Sequence, residues 1–255
     1  MSFKLSNSKL HDWETMCPIE FKAKHITKDY PEFVPSEQMN WGNWFETLVI
    51  GGGINGAFRI APGSKMDNSV YKSRVEKQAA DCRAYLKLLE GKTASYQEYI
   101  TVKLKSNDGE QEMDIEGTLD IRRIVSALQV IIDLKLTGDT ENEFGKFAWG
   151  APEKMDLSQI IQYYLLVLLK YGSAPEAHYW VFDNGKEMKQ KLIKCTISDY
   201  AIEQHIDRLF KAWDEITMAI AMDDFEPKNT WENCSKCKSP CKFKRVMPEY
   251  YLIEL

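Results

Sequence analysis

The run Val130-Ile131-Ile132-Asp133-Leu134-Lys135-Leu136 is apolar enough for a buried strand, yet it carries two charges. Burying either without a partner is costly. Residues two apart on a strand share a face. Asp133 and Lys135 are therefore expected side by side, with Ile132, Leu134 and Leu136 turned the other way into a core. A second run, Gly117-Thr118-Leu119-Asp120, ends on another acid and contains a glycine that permits close approach of a ligand or of backbone. Two carboxylates, a backbone carbonyl and water make the hard-oxygen set that suits Mg2+ or Mn2+. A lysine beside them can lower the pKa of a bound water and stabilise charge developing on a phosphate. A plainer reading also fits: an ion pair at a strand end, with Lys135 snorkelling and Asp120 in a turn.

The cysteines suggest a second chemistry. Of six in the chain, Cys17, Cys82 and Cys195 are isolated, whereas Cys234, Cys237 and Cys241 crowd into the C-terminal segment. Three clustered thiols can supply three soft ligands, and four thiolates are a usual structural shell for Zn2+. Cys82 and Cys195 are expected to be small buried apolar residues instead. Lys236, Lys238, Lys242, Lys244 and Arg245 share the cysteine segment, which contains no acid, and Lys22, Lys24 and Lys28 follow Cys17. Joined by a metal, the two lysine groups would merge into one basic surface able to hold phosphates.

These residues need elements to position them. The 255-residue chain has 33 basic and 38 acidic side chains and a formal charge of −5, which excludes a wholesale basic coat for nucleic acid. Apolar spacing of three and four predicts helices around Lys9 to Trp13, Pro18 to Ile26, Glu37 to Ile50 and Val70 to Leu89. From Tyr96 the period changes. Tyr99 to Leu104, Glu112 to Ile121 and Ser126 to Leu136 read as three consecutive strands. Ser158 to Lys170 reads as a helix, followed by strands at His178 to Phe182 and Lys189 to Ile197 with an Asn184-Gly185 hairpin signal between them. A long amphipathic helix carries Ile202, Ile206, Leu209, Trp213, Ile216 and Ile220 on one face. Together these predict one α/β domain over 1–255: a mainly helical part (1–95), an α/β core (96–222) and a cysteine-bearing tail (223–255) packing back on the N-terminal region. No run approaches the roughly 20 apolar residues of a membrane helix, and the N-terminus lacks the apolar segment of a secretory signal, so the expected location is cytoplasmic, in a cell or from a phage.

In order along the chain, Glu46 within Gly42-Asn43-Trp44-Phe45-Glu46-Thr47-Leu48, then Gly117 to Asp120, then Ile132-Asp133-Leu134-Lys135, then Gln159-Ile160-Ile161-Gln162-Tyr163 resemble the motif series of the PD-(D/E)xK nucleases, in particular the RecB-like branch. The resemblance covers about two thirds of the chain. It implies a restriction-endonuclease-like core, a central mixed sheet flanked by helices, and hydrolysis of DNA phosphodiesters with Mg2+ or Mn2+. It implies Asp120, Asp133 and the Leu134 carbonyl as metal ligands, with Glu46 completing the shell directly or through water, and Lys135 as the catalytic lysine. Gln159 and Tyr163, four apart and so on one helix face, match the Q-x-x-x-Y element that contacts the active site and the DNA in that branch. Leu119 stands where the superfamily name has proline, and Asp133 where glutamate is more frequent; both variants are familiar in the RecB-like branch. Members with a [4Fe-4S] cluster, including CRISPR-associated RecB-like exonucleases and AddAB-type nucleases, carry one cysteine before the nuclease motifs and three after, which matches Cys17 with Cys234, Cys237 and Cys241. The last cysteine interval is shorter than in many members, which keeps structural Zn2+ as the alternative.

The resulting expectation is a metal-dependent DNA exonuclease acting on single-stranded DNA or free ends, with recombination, repair or CRISPR adaptation proteins as partners. The alternative is a catalytically silent DNA-binding or partner-docking module. Gly51-Gly52-Gly53-Ile54-Asn55-Gly56 satisfies G-x-G-x-x-G but follows a helix rather than a strand, so it is read as a loop and not as a dinucleotide site. Trp41, Trp44 and Phe45 are candidates to stack on bases, with core packing the more common fate of such aromatics. His11, His25, His178 and His205 form no spaced ligand pair.

Overall fold

The computed structural model describes residues 3–30, 36–51, 69–88 and 92–225. The β-branched and aromatic runs pair into one mixed six-stranded sheet. Strand β1 (Lys4–Leu5) precedes helices α1 (Asn7–Thr15) and α2 (Pro18–Phe21), the latter continuing as a π-helical turn over Lys22–Thr27. Helices α3 (Glu37–Ile50) and α4 (Ser69–Leu88) follow, then the meander β2 (Lys92–Lys105), β3 (Glu112–Val125) and β4 (Leu128–Thr137). After a long loop come α5 (Ser158–Tyr171), β5 (Glu176–Asp183), β6 (Gln190–Cys195) and α6 (Asp199–Met222). Serine N-caps start α1, α3 and α6: the Ser6, Ser36 and Ser198 hydroxyls accept from the amides of Lys9, Met39 and Ala201.

The β2–β3, β3–β4 and β5–β6 pairs are antiparallel. β4 and β5 run parallel, which requires a crossover, supplied by the loop and α5. Helices cover both faces. On one, α1, α2, α5 and α6 pack Leu10, Trp13, Phe21, Leu166, Leu209 and Ile216 against Ile115, Ile131 and Tyr179. On the other, α3 and α4 pack Trp41, Phe45, Val75 and Cys82 against Ile132, Leu134, Trp180 and Phe182. This is the α/β, restriction-endonuclease-like architecture expected, and Ile132 and Leu134 face a core opposite Asp133.

β3 is the hub of the sheet. One edge is paired with β2. The other edge is shared: β1 pairs parallel with Asp114 and Ile115, and β4 pairs with Ile121 to Val125. Among the described residues, positions 116–120 therefore have no strand partner on that side. The sheet opens there.

One local reading needs correction. Ser126 does not begin a strand. It forms a tight turn with Ala127, at φ 46° and 70°, a left-handed geometry that only the β3–β4 pairing on either side can enforce. Asn184-Gly185 lies in the connection between β5 and β6, which pair antiparallel; there the Asp183 carboxylate accepts the Gly185 amide and the Asn184 amide donates to the Thr137 carbonyl. Besides their helices, the first 95 residues contain β1 and the start of β2. Trp41 and Phe45 are buried in the α3–α4 core and offer no stacking face, and Gly52 to Gly56 and the cysteine tail lie outside the described residues.

Candidate active site

The opening beside residues 116–120 leads into a cleft of about 1140 Å³ lined from α1, α3, β2, β3, β4, α5 and the loop after β4. Of the six side chains expected to act together, Glu46, Lys135, Gln159 and Tyr163 line it, and Asp120 and Asp133 lie buried behind them. β4 brings Asp133 and Lys135 out on the α5 face, where the Lys135 ammonium pairs with the Asp133 carboxylate. Asp133 is 1% exposed. β3 brings Asp120 to the place where its pairing with β4 stops, and Asp120 Oδ2 accepts the Leu134 amide at 2.8 Å. A side chain thus takes over a bond that a neighbouring strand would otherwise make.

Glu46 arrives from the opposite layer. α3 packs on the far face of the sheet through Phe45 and Val49, and Glu46 lines the cleft at the opening. Gln97 joins it to the rest: its amide donates to Glu46 and lies 3.4 Å from Asp120 Oδ1. From the other layer, Gln159 on α5 donates to Tyr163 Oη at 3.0 Å and lies 3.4 Å from Asp133 Oδ1. The i, i+4 spacing on one helix face makes that pair possible. Two helical layers therefore meet through one hole in the sheet.

Gly117 has a structural reason. A Cβ there would stand 2.7 Å from Leu166 Cδ1 and 3.4 Å from Tyr163 Cε1, so its lack of a side chain is what lets α5 lie close enough to present Tyr163. Gln162, on the buried side of α5, donates to the carbonyls of Leu5 and Glu116 and ties β1 and β3 to the helix beside the gap.

The electrostatics are those of crowded carboxylates. Burial raises the pKa of Asp120 well above the usual range, and the nearby charges of Asp133 and Glu46 add to the rise. Glu46 and Asp133 are likewise raised by burial, against the pull of Lys135. Burial alone would lower Lys135, but the surrounding Asp133, Asp120 and Glu46 outweigh it and hold the ammonium charged. Burial and the same carboxylates push Tyr163 well above its ordinary value, so it stays a neutral hydroxyl. Among the described residues, no three His, Cys, Asp or Glu are grouped closely enough to hold a metal ion as they stand; Lys135 and Gln97 are bonded to the carboxylates instead.

Sequence reasoning missed Gln97. It sits at φ 47°, a left-handed conformation that costs a residue with a side chain on the order of 1 kcal/mol and is tolerated where neighbours enforce it. No motif marks it, since a lone glutamine in a strand is unremarkable in sequence. The histidines serve elsewhere: His25 bonds Asp12 at 2.7 Å, His178 pairs with Glu176 at 3.5 Å, His205 is buried on α6 and His11 lies on the cleft wall. Cys17 is buried at the N-cap of α2, Cys82 is buried in the α4 core and Cys195 is half-buried in β6.

Fold and site together define an α/β protein of restriction-endonuclease-like architecture with an acid-and-lysine cleft. No family model and no curated protein matches the chain. Among solved structures it is similar to a protein from Eubacterium rectale described as "Putative exonuclease", at 16% identity over 99% of this chain and 90% of that one, with a TM-score of 0.58. At that identity the likeness is one of fold. A structure of SSO0001 aligns over 71% of this chain and 79% of its own at 16% identity and a TM-score of 0.33, and carries no argument. No helix among the described residues is long and apolar enough to cross a membrane.

Proposed function

We propose that the chain is a metal-dependent deoxyribonuclease that hydrolyses phosphodiesters at single-stranded DNA ends. The carrying observation is that Glu46, Lys135, Gln159 and Tyr163, from both helical layers, line one cleft, with the buried Asp133 paired to Lys135 and Asp120 beside Gln97 directly behind them. The fold shared with a protein described as "Putative exonuclease" supports a nuclease.

The donor types suit Mg2+ or Mn2+, and sharing an ion would require Lys135 and Gln97 to give up their bonds to the carboxylates. Asp120, Asp133 and Glu46 are hard oxygen donors whose pKa values are raised by burial, with neighbouring carboxylates adding to the rise at Asp120 and Glu46, the situation a divalent cation relieves. They would hold the ion together with the Leu134 carbonyl. Once bound, the cation supplies Lewis-acid stabilisation of charge on a phosphate. The chain does the rest. Lys135, kept charged by Asp133, presents an ammonium to a phosphate oxygen. Gln159 donates to Tyr163 Oη, which leaves the phenolic proton for an incoming phosphate oxygen. Tyr163 acts as a donor and not as a base, because its pKa lies far above neutrality.

For the thiols, the proposal is a [4Fe-4S] cluster on Cys17, Cys234, Cys237 and Cys241, with Lys236, Lys238, Lys242, Lys244 and Arg245 as a phosphate-binding surface beside it. The supporting contact is between the chain ends: Lys22, just after α2, pairs with Asp223 at 2.6 Å and lies 5.3 Å from the Phe225 ring, so the last described residues sit against the helix that Cys17 caps. Protein purified without oxygen is expected to be brown and to contain iron. Colourless protein with stoichiometric Zn2+ would establish the zinc alternative.

The arrangement of Lys135 and Gln97 among the carboxylates favours one competing reading, a silent DNA-binding or partner-docking module. End-labelled linear and circular single strands, incubated with Mg2+, Mn2+ or chelator, separate the two. Metal-dependent degradation of linear strands is expected. Asp133→Ala and Lys135→Ala should each lower the rate by about 100-fold or more. Unchanged rates in both variants would sink the catalytic assignment, and wild-type inertness under every metal would establish the binding module.

A further inference from the structure

We infer that Phe144 is a stacking platform for an unpaired nucleobase at the mouth of the cleft. The inference rests on the nucleic-acid reading of this cleft and deepens it, by naming the part of the chain that selects single-stranded substrate.

Phe144 is 79% exposed, yet it lines the same cleft as Lys135 and Tyr163. A lone exposed apolar side chain is ordinary on a protein surface. This one is presented by a turn that is pinned in place. Asn142 donates from Nδ2 to the Phe144 carbonyl at 2.9 Å and accepts the Phe144 amide on Oδ1 at 3.3 Å, so one side chain holds both backbone groups of that residue. Behind it, the Gly150 amide donates to the Asn142 carbonyl at 2.8 Å, and a Cβ at Gly150 would stand 2.3 Å from the Glu141 carbonyl oxygen, so the loop closes on itself there. Lys191 on β6 donates to the Thr140 carbonyl at 2.8 Å and anchors the loop to the sheet. The ring is therefore exposed on a fixed mount. Two residues on, Lys146 also lines the cleft.

An exposed ring in a cleft that lysines also line is the arrangement by which proteins hold single strands: the base stacks and the backbone is neutralised. Any base offers a π face, so this contact selects for unpaired bases and not for sequence. In a duplex the bases are stacked on one another and their faces are closed to the ring.

The test measures fluorescence anisotropy of a labelled oligothymidylate with the full chain in chelator, where binding is read without cleavage. Phe144→Ala is expected to weaken binding roughly 5- to 100-fold, and Phe144→Trp to retain it. A strand of abasic residues of the same length should bind the wild type no better than oligothymidylate binds Phe144→Ala, and should bind both proteins equally. Duplex affinity should not change on substitution. Equal affinity of wild type and Phe144→Ala for oligothymidylate would overturn the inference, as would an equal loss on the abasic strand. Degradation assays on the same proteins keep the two readings apart: a chain that cleaves normally but binds independently of Phe144 loses only the platform, whereas one that binds through Phe144 but never cleaves loses only the nuclease assignment.

Discussion

A single amide sets the spacing of the candidate site. Gln97 donates to Glu46 and approaches Asp120, bridging an acid on α3 and an acid on β3 that no backbone pairing connects. It does so from a left-handed backbone at φ 47°. Two substitutions separate strain from function. Gln97→Ala keeps the strained backbone and loses the bridge; Gln97→Gly loses the bridge and relieves the strain. Both are expected to reduce nuclease activity by about 10- to 100-fold, the usual cost of removing a group that orients site carboxylates. In denaturant titrations, Gln97→Gly should be about 1 kcal/mol more stable than Gln97→Ala. Full activity in both would show that the carboxylates hold their places without the bridge.

At the scale of elements, the contact that matters is α5 against β3. Gly117 is where they touch, and Leu166, completely buried, lies where a Cβ would go. Gly117→Ala must push Leu166 or the helix outward, at a cost of about 1–3 kcal/mol. Because Tyr163 rides on the same helix, activity should fall by more than the stability loss explains, measured well below the melting temperature where the protein is still folded. A variant destabilised but fully active would mean that α5 absorbs the methyl group without moving Tyr163. The alternation on β4 has the same origin. Ile132 and Leu134 pack on α3 and α4, and the intervening Asp133 and Lys135 are forced to the α5 side, because side chains on a strand alternate.

Across the whole molecule, α6 clasps the N-terminal helices. Trp13 donates to Glu215 at 2.8 Å, and Arg208 pairs with Glu14 and donates to Ser158 at 2.7 Å. His205 lies buried on the same helix. Burial holds its pKa down from 6.5 to about 4, aided by Arg208 and opposed by Asp156 and Glu14. The folded value is below the unfolded one, so this contribution to stability is complete above about pH 6.5 and is lost as the pH falls toward 4. Between pH 8 and pH 5 the loss is about 2 kcal/mol. Urea titrations at both pH values should show that loss in the wild type and not in His205→Gln; the same pH dependence in both would assign the acid sensitivity elsewhere. Glu98 adds a second step at lower pH. Though partly buried, its carboxylate is held down to about 2 by bonds from Ser95, Tyr171, Lys170 and Arg122, so its contribution fades as the pH falls below 4.5 toward 2.

The local regularities were legible in the sequence. Strand alternation put Asp133 beside Lys135 and away from Ile132 and Leu134, and helical spacing put Gln159 in reach of Tyr163. Each depends on neighbours a few residues apart, whose geometry the backbone period fixes. What only the tertiary structure decided depends on distant chain segments meeting. The opening in the sheet exists because β1 and β4 share one edge of β3 without filling it, and strand periodicity carries no information about where pairing between strands stops. Through that opening Glu46 reaches the acids from the opposite layer, Gln97 bridges them, and Gly117 admits a helix rather than a ligand.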